Sequence, residues 1–340
     1  MKTLRIHVTH TDLDGAGCAV VFLRAFGGTD KFYTVNHDRI DSVVRQVLHQ
    51  DIGLSPLTFA GPSTGQAWED IAKAKDAHGK IVLWITDIAP SVAVMDDLLM
   101  LWEKELFDEL LVCDHHKTSA HLCNGETVGG EYNDFVVYGD GICGAELVYH
   151  YADRKKLLSN LDSRLREFVA AVDAYDLWKL DSPRRERGEN LNKLFRLYGI
   201  ARFADIFCDD PERDKKKESA ELIGVLEANQ KKAIAACIRA LKQDNASVLT
   251  DNCNRKFMYV FNNGDGVTSQ LGQAMLDAFE DIDYAAVVSS NGVVSLRSRK
   301  GGTDVSSIAK RHPNGGGHAN ASGFKIETRA FYDFLLTKIL

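Results

Sequence analysis

Hydrophobic positions switch between two spacings along the first half of the chain. Apolar runs of strand character, Leu4 to Thr9, Phe32 to Val35, Ile81 to Thr86 and Leu110 to Cys113, are separated by stretches of helical spacing. These are Gly15 to Phe26, Asp41 to Gln50 and a segment from Pro90 to about Leu106. A run such as Ile-Val-Leu-Trp-Ile-Thr lacks polar alternation, as expected of a strand covered on both faces of a parallel sheet. Strands alternating with helices predict an α/β fold with a doubly wound, mainly parallel sheet. Another covering helix is expected over Ser163 to Trp178, where Leu165, Phe168, Val169 and Val172 share a face.

Between Pro183 and Lys217 the composition turns charge-rich (PRRERG, DDPERDKKK) and reads as an irregular end to the first unit. Beyond it Ile223, Leu226, Gln230, Ala233, Cys237 and Leu241 step by three or four residues, so one long helix is expected over Ser219 to Leu241. The remainder restarts an α/β pattern: strand Phe257 to Phe261, helix Ser269 to Phe279, strands Tyr284 to Ser289 and Val293 to Arg297, helix Val305 to Arg311, and a terminal helix. The expected organisation is therefore a larger domain over 1–200, a linker with a long helix over 201–245 and a smaller α/β domain over 246–340. The active site is expected in the cleft between the domains.

At 340 residues the chain can bury one or two substantial cores. It has no run of eighteen apolar residues and opens on a short strand rather than a signal-peptide core, so a soluble, cytoplasmic protein with no membrane partner is expected. Seven scattered cysteines without a C-x-x-C pair fit neither a disulfide framework nor a zinc ribbon. A net charge of -7 argues against tight non-specific binding to long duplex nucleic acid. It leaves room for an anionic substrate, because bound divalent cations can supply the positive charge. The sequence neither requires nor excludes a homo-oligomer.

Candidate chemistry gathers where strands end. His10, Asp12 and Asp14 directly follow the first strand, and alternate residues of an extended segment can point to a common site. Asp87 ends the strand Ile81 to Thr86, and Asp114-His115-His116 ends Leu110 to Cys113. Any one of these could be an ordinary cap. Three strand ends all bearing His or Asp favour a metal site at the sheet's carboxyl edge. Asp173 and Asp176 sit on or at the end of an otherwise apolar helix, where a cation would offset the lost hydration of a carboxylate; only one of them need be a ligand. In the last third, Gly315-Gly316-Gly317-His318 can bring backbone N–H groups and an imidazole close to phosphate. Arg297, Arg299, Lys300, Lys310 and Arg311 against Asp304 form a local patch of net charge +4, expected to face the metals.

In this order, His10/Asp12/Asp14, Asp87, Asp114-His115-His116 and Asp173, followed by Ser295-Leu-Arg297-Ser298 and Gly315 to Phe324, the motifs resemble the DHH phosphoesterases and their DHH-associated C-terminal domain. The resemblance implies two divalent ions, Mn²⁺ being usual in the family, which suits a shell of imidazoles and carboxylates without thiolate. His10, Asp12 and Asp87 would hold one ion, and Asp14, Asp87, His115 and Asp173 the other, with Asp176 as the alternative to Asp173. It further implies that water is the nucleophile, that Asp114 orients His115, and that His116 sits near the scissile phosphate as a donor or general acid. Arg297, Gly315, Gly316, Gly317 and His318 would bind substrate, while Tyr132, Tyr138 and Phe324 are candidates for stacking on a base.

Within the family, the two-domain length fits hydrolysis of short single-stranded oligonucleotides, as in the nano-RNases, with removal of the 3′ phosphate of phosphoadenosine phosphate as a related activity. A cyclic dinucleotide phosphodiesterase is the alternative. An inorganic pyrophosphatase fits less well, because the Gly315 to Phe324 motif belongs to a different C-terminal domain. A non-catalytic scaffold fits least, because every ligand position is filled.

Overall fold

The computed structural model describes residues 2–59, 65–123, 135–158, 162–243, 248–262, 267–313 and 315–327. The expected terminal helix and Tyr132 lie outside these residues. The chain divides into two compact units, Met1–Ala220 and Glu221–Leu340.

The first unit runs β1 (Thr3–Thr9), α1 (Leu13–Phe26), β2 (Lys31–Thr34), α2 (Ile40–Gln46), α3 (Gly65–His78), β3 (Lys80–Thr86), α4 (Val92–Glu103), β4 (Glu109–Asp114), β5 (Val136–Tyr138), α5 (Gly144–Arg154), α6 (Ser163–Asp176), α7 (Arg185–Tyr198) and α8 (Ile200–Asp209). Its five strands pair in the order β2-β1-β3-β4-β5, all parallel. Both faces are covered, so successive residues of β1 enter different packing layers. Ile6 and Val8 join a cluster with Leu83, Ile85, Val94 and Leu98. His7 instead stacks on Phe22 of α1, which also meets Trp84.

Besides α3, whose Ile71 and Ala74 join the first core, the sequence pattern misses three packed helices here. Residues 183–217 are not an irregular end to the first unit, because α7 and α8 occupy most of them. Leu191, Leu194, Phe203 and Phe207 are fully buried, and Phe207 stacks on Phe168 of α6 with ring centroids 5.3 Å apart. The apolar stripes are narrow and the outer faces heavily charged, so average composition hides the amphipathic spacing. The third, α5, begins at a glycine and its first turn belongs to the site described below.

Through α9 (Lys217–Gln243) the chain passes into the second unit, whose further elements are β6 (Leu249–Thr250), β7 (Lys256–Phe261), α10 (Thr268–Ala278), β8 (Tyr284–Val288), β9 (Val293–Ser298), α11 (Ser306–Ala309), β10 (Gly316–His318) and β11 (Ala321–Lys325). The sheet order is β10-β11-β9-β8-β7-β6, antiparallel except for β7 with β8. Leu271, Met275 and Leu276 of α10 pack with Met258, Ala285 and Val287 under the apolar stripe of α9, including Ile234, Cys237 and Leu241. Tyr284, Ala286, Val294 and Leu296 meet Val305 and Ile308 on the other face.

Among the described residues, no helix is long and apolar enough to cross a membrane.

Candidate metal centre

Strand register assembles the site. Thr9 of β1 lies opposite Thr86 of β3, and Thr86 lies opposite Cys113 of β4, so the residues leaving these strands emerge side by side. In a 2-1-3-4-5 sheet the connections diverge between β1 and β3, which opens a crevice at their carboxyl ends. His10 and Asp12 enter it from β1, Asp87 from β3 and His115 and His116 from β4.

Three groups of donors result, each with its atoms within 4.8 Å of one another: His10, Asp12 and Asp87; Asp87, His115 and His116; and Asp14, His115 and Asp176. Asp87 and His115 are each shared by two groups. His115 Nε2 stands 3.4 Å from Asp14 Oδ2, 3.3 Å from Asp87 Oδ1 and 3.6 Å from Asp176 Oδ2. Asp87 is fully buried and takes a left-handed φ of 59°, a conformation aspartate tolerates better than most residues. Its N–H donates to Cys113 O, which ties the turn to β4.

Asp14 is held from far along the chain. Gly144 N–H donates to its Oδ2 at 2.7 Å and Ala145 N–H to its Oδ1 at 2.8 Å, so the carboxylate sits on the first turn of α5, where the helix dipole favours negative charge. Gly144 is required by this approach. A Cβ there would lie 2.9 Å from Asp87 Cβ and 3.1 Å from Asp14 Oδ2.

Asp173 falls outside all three groups, and Asp176 takes the place expected for it. Asp173 Oδ1 accepts from Cys143 N–H at 3.0 Å and its Oδ2 pairs with Lys179 Nζ, so its carboxylate pins the start of α5 instead of facing the cluster. The role expected of Asp114 also changes. Its Oδ1 accepts the backbone N–H of His115 and lies 2.8 Å from His116 Nδ1, while Ser119 Oγ donates to Oδ2. The imidazole it orients is therefore that of His116.

Two residues near the site escaped the sequence reading. Arg185 of α7 is buried, donates to Ala174 O and Tyr175 O at the end of α6, and stacks 4.0 Å over Trp178, so it caps the helix that delivers Asp176. His37, on the turn after β2, has its ring centroid 5.2 Å from those of both His10 and His116. The only sequence signal for Arg185 was its position just after a helix end, and His37 lies in no motif.

The electrostatics call for positive charge. Burial first, and then the charges of Asp14 and Asp12, push the Asp87 carboxyl well above the usual carboxylate range. Burial and Asp14 push Asp176 up to about 7. For His115, burial works against protonation, but Asp14 and Asp176 outweigh it and raise the imidazole. Asp87 Oδ1 and Oδ2, His115 Nε2 and Asp176 Oδ2 are buried and make no hydrogen bond among the described residues. Four buried polar atoms without a hydrogen bond, all in one cluster, would be costly in a dry interior. Carboxylate oxygens and an imidazole nitrogen form a donor set that divalent cations accept. The residues fit such ions.

In the second unit Arg297 Nη2 donates to Ser269 Oγ at 2.6 Å and Nη1 to Leu296 O at 2.8 Å. The basic patch expected around it is partly dispersed. Arg299 donates to Leu276 O, Phe279 O and Ile282 O, capping the end of α10, and Arg311 rests on Cys253 Sγ. Gly316, Gly317 and His318 form the edge strand β10, and Gly317 has a φ of 123°. Gly315 packs so closely that a Cβ would lie 1.9 Å from Ala309 O. Two of the stacking candidates serve packing instead: Tyr138 is buried in the first core and Phe324 stacks on His312 at 3.8 Å.

No family model matches the chain. A curated relative, oligoribonuclease NrnB of Bacillus subtilis, is 26% identical over an alignment 341 positions long that covers 96% of this chain and 74% of the relative. Among solved structures, the DHH domain of a member of the s1p family of ribosomal proteins is similar with a TM-score of 0.57 at 12% identity, covering 98% of this chain and 85% of that one. RecJ of Thermus thermophilus, solved in complex with Mn²⁺, gives a TM-score of 0.53 at 15% identity, and the match covers 98% of this chain but 51% of RecJ. These two share the fold. Similarity along nearly the whole chain to a curated oligoribonuclease, the fold shared with DHH-domain structures and the ordered His and Asp motifs at the strand ends together support the resemblance to the DHH phosphoesterases.

Proposed function

We propose that the chain is a metal-dependent phosphodiesterase that hydrolyses short single-stranded oligonucleotides. The observation that carries this reading is the buried group of metal-ligand atoms without hydrogen bonds on Asp87, His115 and Asp176 at the switch point of the sheet. Its similarity to an oligoribonuclease supports the substrate class.

In this reading His10, Asp12 and Asp87 hold one divalent ion, and Asp14, His115 and Asp176, with Asp87 beside them, hold a second. Mn²⁺ is the ion proposed for both positions. Ions bound there supply a lowered pKa for water and neutralise charge on the phosphoryl oxygens. The protein's own part is orientation. The first turn of α5 fixes Asp14, and the turn geometry at Asp87 holds its carboxylate between two histidines. Burial works against protonation of His116, but the Asp114 carboxylate beside Nδ1 outweighs it and raises the imidazole, and the protonated ring has an Nε2–H to donate to the leaving oxygen. Arg297, Gly315, Gly316, Gly317 and His318 bind the substrate phosphates in the same proposal.

Asp87→Ala tests the reading, because it removes the carboxylate shared by two donor groups. Loss of both Mn²⁺ binding and hydrolysis is expected. Retention of activity with bound metal would refute the shared role.

A further inference from the structure

A third imidazole lies against the metal centre without belonging to it. The His37 ring meets His116 edge-on at 86° and His10 at 43°, each at 5.2 Å between centroids, while His10 and His116 are 6.1 Å apart. The three rings make an isosceles triangle with His37 at its apex. None of the three ligand groups includes His37.

The turn that carries His37 is tied to the metal-binding loop. Thr11 Oγ1 donates to Asn36 Oδ1 at 2.8 Å, Val35 N–H to Thr9 O at 2.9 Å, and Arg39 N–H to Asn36 O at 3.0 Å. His37 is therefore placed by the same segment that presents His10 and Asp12. It is nevertheless exposed, so burial of apolar area gives it little reason to be there. Its neighbours each have one nitrogen engaged, His10 Nδ1 with Asp12 and His116 Nδ1 with Asp114. Each keeps Nε2 for other partners. A tetrahedral phosphoryl group presents several oxygens at once and needs donors from more than one direction.

We propose that His37 is a substrate-binding residue that hydrogen-bonds an oxygen of the scissile phosphoryl group beside His116. This rests on the phosphodiesterase reading above. As an exposed side chain outside the ligand groups, it can be replaced without disturbing the core or the metals.

The test uses the full chain as wild type, His37→Ala and His37→Gln. Calorimetric titration measures Mn²⁺ binding and then AMP binding to the Mn²⁺-loaded protein, and steady-state kinetics follow a 5′-phosphorylated RNA dinucleotide. His37→Ala is expected to lower kcat/KM and AMP affinity by about tenfold or more, the loss of one hydrogen bond to a charged group, with Mn²⁺ affinity unchanged. Part of the loss should return in His37→Gln, whose amide keeps an N–H donor. Wild-type AMP affinity in His37→Ala would overturn the assignment, as would a loss of Mn²⁺ binding, which would make His37 a ligand. A wild type inactive on the dinucleotide would count against the proposed function, and the AMP titration would still decide the role of His37.

Discussion

Replacing Asp176 by asparagine should stabilise the metal-free protein while weakening its response to metal. With its pKa raised from the ordinary 3.8 to about 7, the folded state holds a proton between those values that the unfolded chain has lost. The stability of the metal-free protein should therefore fall as pH rises from about 4 to about 7. At 1.36 kcal/mol per unit, ionising Asp176 costs at most about 4 kcal/mol above pH 7. Screening reduces this, because the side chain is 23% exposed. The asparagine side chain keeps the shape and removes the charge. In chelator at pH 8, thermal unfolding should occur several degrees higher in Asp176→Asn than in wild type, at roughly 2–4 °C per kcal/mol for a unit of this size. The rise in Tm on adding Mn²⁺ should be largely lost. Asp173→Asn should behave in the opposite way, because it breaks the ion pair with Lys179 and leaves only a neutral amide oxygen to accept the Cys143 N–H. It should lower Tm in chelator and leave a Mn²⁺-induced rise. If Asp173→Asn abolished the metal response and Asp176→Asn preserved it, the ligand assignment of the two carboxylates would be reversed.

Three other substitutions probe separate links. Burial lowers the His7 imidazole to about 3, so it stays neutral in the fold while the unfolded chain protonates near 6.5. Stability should fall by about 2 kcal/mol between pH 7 and pH 5 from this residue, and His7→Gln should flatten that part of the urea-unfolding profile. Gly144→Ala forces a methyl group against Asp87 and Asp14, so it should weaken Mn²⁺ binding tenfold or more and cost about 1–3 kcal/mol in thermal stability. Arg297→Ala should raise KM with Mn²⁺ affinity unchanged, and identical kinetics in the variant would remove Arg297 from the substrate site.

Which parts of this molecule are legible in the sequence follows from how local their physics is. Buried parallel strands favour apolar runs, unbroken in β3 and β4 and alternating in β1, so these strands and the polar residues that end them stand out, and with them His10, Asp12, Asp14, Asp87 and Asp114 to His116. Contacts made at long range do not stand out. Asp173 and Asp176 are three residues apart on the same side of α6, and only the position of Cys143 and Lys179 shows that Asp173 is already engaged. Asp114 flanks two histidines, and the turn decides that its carboxylate meets the ring of His116 and only the N–H of His115. The charged exterior of α7 and α8 conceals Leu191, Leu194, Phe203 and Phe207 from any reading based on average composition.

The most direct test of the proposed activity is hydrolysis of a labelled RNA series of two to five nucleotides, with cyclic di-AMP, cyclic di-GMP, phosphoadenosine phosphate and pyrophosphate beside it, in Mn²⁺ and in chelator. Rapid loss of the shortest RNAs that stops in chelator is the expected result. Preference for a cyclic dinucleotide would keep the metal centre and change the substrate, whereas no turnover of any phosphate ester in Mn²⁺ would contradict the assignment of the cluster around Asp87 as a hydrolytic site.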